Sequence, residues 1–221
     1  MKSILLSVIS FLLVMNVCGK NDVDMRTYLK KVLSNLDKVE SASYHEQSQS
    51  WQPGDTTAIT NSFRFIKEYT NPSDSTIGAS YVALNAKDTT RFEFGYDGKV
   101  KMISFHEHKG IMIDDFTTRK LPFRLVGPPF FCYSRNIIGY ALSTGDSITT
   151  EWKDLGEAYY FKLVIHEDKQ VEFFGKAYYI PKPPFDLGDP TSIYELWINK
   201  SDDLPYKVRR EMSHQISANI C

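Results

Sequence analysis

The chain has 221 residues, and its 26 Lys and Arg against 27 Asp and Glu leave a formal net charge of -1, without the basic footprint that marks nucleic-acid binding. Its 14 Phe, 13 Tyr and 3 Trp favour pleated, half-buried surfaces, and the length suffices for one domain with a substantial core. No G-x-S-x-G, Walker loop, H-E-x-x-H or C-x-x-C occurs, so the usual signatures of nucleophilic hydrolases, phosphate-loop enzymes, zinc proteases and dithiol oxidoreductases are missing.

At the N-terminus, Lys2 precedes an apolar run over 4–15 that is broken only by Ser7 and Ser10. Such a run is short for a membrane span and right for the core of a secretory signal. Two endings are open. Val17-Cys-Gly19 suits conventional cleavage before Lys20, whereas Cys18 sits where a bacterial lipoprotein carries its lipidated cysteine, behind a loose lipobox. Residues 1–19 are therefore read as a signal peptide, lipoprotein-type or conventional, 20–24 as a polar tether, and 25–221 as one domain. With Cys18 lipidated or removed, Cys132 and Cys221 remain; an oxidising compartment allows them one disulfide, and the alternative is two unpaired thiols.

Asp24 is the expected N-cap of a helix over 25–39, whose Leu29, Val32, Leu33, Leu36 and Val39 form one apolar stripe. From Ser41 the pattern turns to strands. Residues 43–51 are mostly polar, as in an edge strand. Strands are expected over 62–69, 80–84, 90–96, 99–106 and 110–116, with turns at Pro53-Gly-Asp55, Asn71-Pro-Ser-Asp74 and Asp97-Gly98. Period two puts Phe92, Phe94 and Tyr96 on one face. The proline-rich 121–131 is unsuited to a central strand and leads into a short helix within 133–142. Strands resume, with Tyr159, Phe161, Leu163 and Ile165 sharing a face, a turn at Asp168-Lys169, a strand over 170–180 and a loop at Pro181-Lys-Pro-Pro184. The chain closes on a hairpin over 194–212, in which Tyr194, Leu196 and Ile198 oppose Ile193, Glu195 and Trp197. Aromatic residues on both faces of its first strand predict cover on both sides. This inventory predicts an α+β fold, mainly antiparallel β, with about nine to eleven strands forming an open curled sheet over one long N-terminal helix and a short inserted helix.

The late hairpin motif Leu196-Trp-Ile198, Leu204-Pro205 and Arg209, with the export signal and first helix, resembles the LolA-like superfamily of envelope lipoprotein carriers and sensors. The blocks 171–179 and 209–216 are similar to the N-terminal region of exported proteins that carry a thioredoxin-like domain behind it, and that similarity spans most of 25–221. The resemblance implies a half-barrel, location in the periplasm or outer membrane of a Gram-negative cell, and a non-enzymatic role in binding an acyl chain, a lipoprotein or a partner protein, without a cofactor. Lining residues expected from the apolar faces are Leu33, Phe92, Phe94, Phe161, Leu163 and Trp197; the plainer reading makes each of them core. The sequence closes on Cys221 without a redox pair, so no thiol chemistry carries over to a residue here. The alternative is an accessory domain of a thiol–disulfide system whose thioredoxin-like partner is supplied elsewhere.

Other chemistry is thinly marked. His106-Glu-His108 places two imidazoles on one face of a predicted strand, with no third metal ligand at a telling spacing. Asp114-Asp115 and Asp202-Asp203 are neighbours whose side chains point apart on an extended chain, which suits turns better than acid–base catalysis.

Overall fold

The computed structural model describes residues 24–51, 55–117, 126–166, 169–173, 176–179 and 187–216. Cys18, Cys221 and the turn at Pro53-Gly54 lie outside the described residues. The fold is α+β and mainly antiparallel, with an open, unclosed sheet arrangement.

Helix α1, Met25–Leu36, begins where expected: the Asp24 carboxylate accepts from the Thr27 N–H at 3.0 Å, satisfying one orphan donor of the first turn. It buries Tyr28, Leu29, Val32 and Leu36 and stops a turn short of Val39. Six strands follow as a meander: β1 Ser41–Ser50, β2 Thr60–Thr70, β3 Ala79–Asn85, β4 Phe92–Tyr96, β5 Val100–Phe105 and β6 Gly110–Asp115. The polar β1 is indeed an edge strand. Helix α2, Phe130–Ser143, is two residues longer than α1 (14 against 12), so the inserted helix is the longer of the two. It begins at Phe130, directly after Pro129, where proline can precede a helix without costing it a hydrogen bond.

The remaining strands are β7 Ile148–Asp154, β8 Ala158–Ile165, β9 Lys169–Phe173, β10 Lys176–Tyr179, β11 Leu187–Asn199 and β12 Leu204–Ile216. They form a four-stranded sheet in the order β12-β11-β8-β7 and a separate β9–β10 hairpin. The strand expected over 170–180 is thus a hairpin, and the described residues form twelve strands where nine to eleven were expected.

The helices run antiparallel. Arg26, early in α1, donates to Leu142 O at 2.8 Å, and Arg135, early in α2, donates to Leu36 O at 2.9 Å. Both pack on the face of the four-stranded sheet that carries Phe161, Leu163, Ile165, Tyr194, Leu196 and Ile198. A second, smaller core joins Ala79, Tyr81 and Tyr96 of the six-stranded sheet, and Ile77 just before β3, to Val126 and Cys132. Helix α2 contributes to both cores.

Trp197 lies on the other face of the four-stranded sheet. Among the described residues, the Tyr160 ring lies edge-on to it at 5.3 Å and the Lys207 ammonium 4.2 Å from its centroid. Glu195, Arg209 and Glu211 form ion pairs across the same face.

Candidate functional site

The inner face of the six-stranded sheet is built by register. Tyr44 pairs with Ile66, Ile66 with Ala83, Ala83 with Phe94 and Phe94 with Ile103. Directly opposed residues share a face, so these five form one row across β1–β5. Glu68, Tyr81 and Tyr96 form the next row. Between this face and the segment Gly127-Pro-Pro129 lies a cavity of about 360 Å³, lined also by Tyr44, Ile66, Tyr81, Phe94 and Ile103. Glu46 and Lys101 supply its charges. The prolines that rule out a central strand at this point instead form one wall.

Electrostatics set the character of the cavity. Burial, reinforced for Tyr44 by the charge of Glu68, pushes the hydroxyls of Tyr44 and Tyr81 far above the ordinary tyrosine range. Both are neutral donors at physiological pH. Arg64 bonds Glu93 at 2.9 Å, reaches Glu46 at 3.4 Å and holds its guanidinium 4.9 Å from the centre of the Phe94 ring. Glu46 is therefore committed to an ion pair. The arrangement offers an apolar groove with a few polar groups that can orient one end of a ligand, the usual build of a small-molecule site.

Glu68 anchors the cavity wall. Its carboxylate accepts from the backbone N–H of Cys132 at 2.7 Å and of Phe131 at 3.1 Å, and from the Tyr44 hydroxyl at 2.9 Å. The Tyr44 oxygen in turn accepts from the Phe130 N–H at 3.0 Å. A strand carboxylate thus caps α2, whose own N-cap residue, Pro129, has no capping side chain.

Of the residues expected to line a ligand cavity, Phe94 does so. Phe92 does not share its face. Ala83 pairs with Phe94 but Leu84 pairs with Phe92, so Glu93 is an extra residue in a bulge. One extra residue reverses the alternation, and the Phe92 ring lies over Gly95, 3.3 Å from where a Cβ on that glycine would sit. Phe161 and Leu163 are fully buried in the core, and Trp197 is on the outer face. Leu33 borders a second cavity of about 380 Å³ with Asp37, Cys132, Arg135 and Asn136, between the helices and the start of β3. Among the cavity residues not anticipated are Tyr44, Ile66, Tyr81, Lys101 and Ile103 on the sheet; continuing the period of two inward from Phe94 through the strand partners was the available signal.

Cys132 is a free thiol, buried, and donates to Ile77 O at 3.1 Å. Desolvation, with the nearby charge of Glu68, pushes its pKa up to about 12, so it is neutral and unreactive at neutral pH. His106-Glu-His108 is not on a strand face. It forms the 3₁₀ turn between β5 and β6, with the His106 ring bonded to Phe92 O at 2.7 Å. Asp202 and Asp203 lie in the β11–β12 turn, where Asp203 accepts from the Tyr28 hydroxyl and pairs with Lys31. Asp114 is buried on the inner face of β6, and Asp115 caps the Thr117 N–H at 2.8 Å. No protein-family model matches the chain, and no curated protein matches it.

Proposed function

We propose that this chain is a non-enzymatic module of the cell envelope, exported by its N-terminal signal and anchored through Cys18, that holds an apolar ligand beneath the six-stranded sheet. The cavity of about 360 Å³ between Ile66, Tyr81, Phe94, Ile103 and Pro128-Pro129 carries this reading. Its size falls at the lower end of small-ligand sites, roughly 300–1,000 Å³, which suits a single acyl chain better than a whole phospholipid. Lys101, which lines the cavity, supplies a cation for an anionic end group. The resemblance to LolA-like proteins points the same way. The alternative, an accessory role in thiol redox chemistry, gains nothing from Cys132, whose buried thiol is a poor partner for a mixed disulfide.

Saturable binding of an environment-sensitive fluorescent fatty acid tests the reading, with unlabelled fatty acid as competitor. A blocking variant is available: Gly127 borders the cavity and a Cβ on it would meet nothing within 4 Å, so Gly127→Trp adds an indole at the cavity wall without a clash at its Cβ. The variant should keep the wild-type circular dichroism spectrum and bind the probe at least about tenfold more weakly, a loss of ~1.4 kcal/mol. Equal binding by both proteins, or none by the wild type, would overturn the assignment. Intact-mass analysis of protein extracted from membranes tests the anchor separately, through the added mass of acyl groups on Cys18.

A further inference from the structure

The second cavity, of about 380 Å³ between the helices and the start of β3, holds a cation whose hydrogen bonding is incomplete. Arg135 lines it from α2, and Asp37, the C-cap of α1, lines it from the other side. A guanidinium carries five N–H donors and no acceptor. Among the described residues Arg135 uses one of them: Nη2 donates to Leu36 O at 2.9 Å, which serves a carbonyl of the last turn of α1. Its Nε–H is buried and has no hydrogen-bond partner among the described residues. A buried donor in that state costs free energy, and native structures hold few of them without a reason.

Asp37 comes close without filling the role. Its Oδ1 lies 3.3 Å from Nε, an ion-pair distance, but off the line that a hydrogen bond requires. The Asp37 side chain is 60% exposed against 22% for Arg135, and a pair with one partner so far in water is weak. The end of a helix also disfavours a negative charge, because its carbonyls point there. Arg135 is thus fixed through Leu36 O, whereas Asp37 has little to hold it against the guanidinium. Around this cation the walls are apolar: Leu33 comes from α1, Ile77 from the approach to β3, and Gly139 of α2 adds no side chain to fill the space.

We propose that this cavity binds a small monocarboxylic acid, whose carboxylate replaces Asp37 on Arg135 and whose apolar body packs against Leu33 and Ile77. A planar carboxylate matches the guanidinium fork and takes two parallel N–H donors, where Asp37 takes none. The acid brings one negative charge to one cation, and the displaced Asp37 carboxylate turns into water, so no buried charge is left unpaired. The volume lies at the lower end of small-ligand sites, which fits a short-chain or single-ring acid. The neutral amide of the same acid lacks the charge and turns an N–H donor toward a group that has only donors.

Heteronuclear NMR of the arginine Nε–H groups reads this site directly, since the Arg135 resonance is the one lost in Arg135→Gln. Hexanoate and phenylacetate, each titrated to about 20 mM to cover the millimolar affinities of ligands so small, should move that resonance downfield and saturate. Hexanamide and phenylacetamide should leave it in place. Asp37→Asn weakens the internal competitor and should tighten binding of both acids about two- to fivefold, the range that such an exposed pair is worth; a damaged fold cannot produce that gain. Failure of every acid to move the Arg135 resonance, an equal response to acids and amides, or an Asp37→Asn variant that binds no more tightly would overturn the proposal. A ligand confined to the first cavity moves the Arg64 resonance instead, so occupancy of the two cavities is scored separately.

Discussion

Glu68 shows how one buried side chain can decide local architecture. Its carboxylate collects three donors, the Phe131 and Cys132 N–H groups and the Tyr44 hydroxyl, and so ties β1 and β2 to the start of α2. Glu68→Ala would leave all three without an acceptor, and the expected loss is roughly 2–4 kcal/mol by urea denaturation. The pH dependence has a definite sign. Burial raises the Glu68 pKa above its ordinary value of 4.5, outweighing the downward pull of the hydrogen bonds from Cys132, Phe131 and Tyr44. The folded protein therefore holds this proton more tightly than the unfolded chain does, so stability is fullest below pH 4.5 and falls as pH rises toward the folded value. Glu68→Gln removes that slope. Plotted against pH, wild-type stability minus that of the Gln variant should decline above pH 4.5; a rise would mean that the hydrogen bonds outweigh burial. Nothing in the sequence singled out Glu68 from Arg64 or Lys67. Phe63 and Phe65 fall on one face of β2 and Ile66 on the other, so apolar alternation alone does not say which face is inside.

At the scale of elements, local chemistry was legible and faces were not. The Asp24 cap formed as expected, as did the Asp97-Gly98 turn, where the Asp97 carboxylate accepts from the Lys99 and Val100 N–H groups at 2.8 and 2.7 Å. Gly98 adopts φ 100°, a conformation that only glycine takes without strain. Such signals act within a few residues and can be read along the chain. The bulge at Glu93 cannot, because it exists only in the pairing of β4 with β3, and one unpaired residue sends Phe92 and Phe94 to opposite faces. Gly95 follows from the same crowding. A Cβ there would lie 2.9 Å from Tyr81 O, in the backbone of the neighbouring strand. The strand cannot yield without disturbing its ladder, so Gly95→Ala should destabilise by about 1–3 kcal/mol despite the better strand propensity of alanine. A thermal melt showing an unchanged or raised midpoint would contradict this packing.

Across the whole molecule, the inventory of strands and two helices was legible from periodicity, whereas their division into separate sheets was not. Strand pairing after β6 is interrupted by the Pro128-Pro129 segment and α2, and no local pattern says that β7 will pair with β8 instead of extending the first sheet. Helix α2 compensates for that break. Cys132 near its start lies in the core of the six-stranded sheet, and Ile137, Ile138, Tyr140 and Ala141 lie in the core of the four-stranded sheet. One rigid element buried in both cores should make them unfold together. In a Trp51→Phe background, which removes the tryptophan that follows β1, the protein carries a reporter for each: Trp152 and Trp197 on the four-stranded sheet, and the buried Cys132 thiol in the other core. Tryptophan fluorescence and alkylation of Cys132, the latter read by peptide mass, should therefore give the same denaturation midpoint. Ile137→Ala, which opens a cavity in the four-stranded core alone, should cost about 2–5 kcal/mol and move both midpoints by the same amount. If the fluorescence midpoint falls while Cys132 stays protected, the two cores are separate folding units and α2 does not couple them.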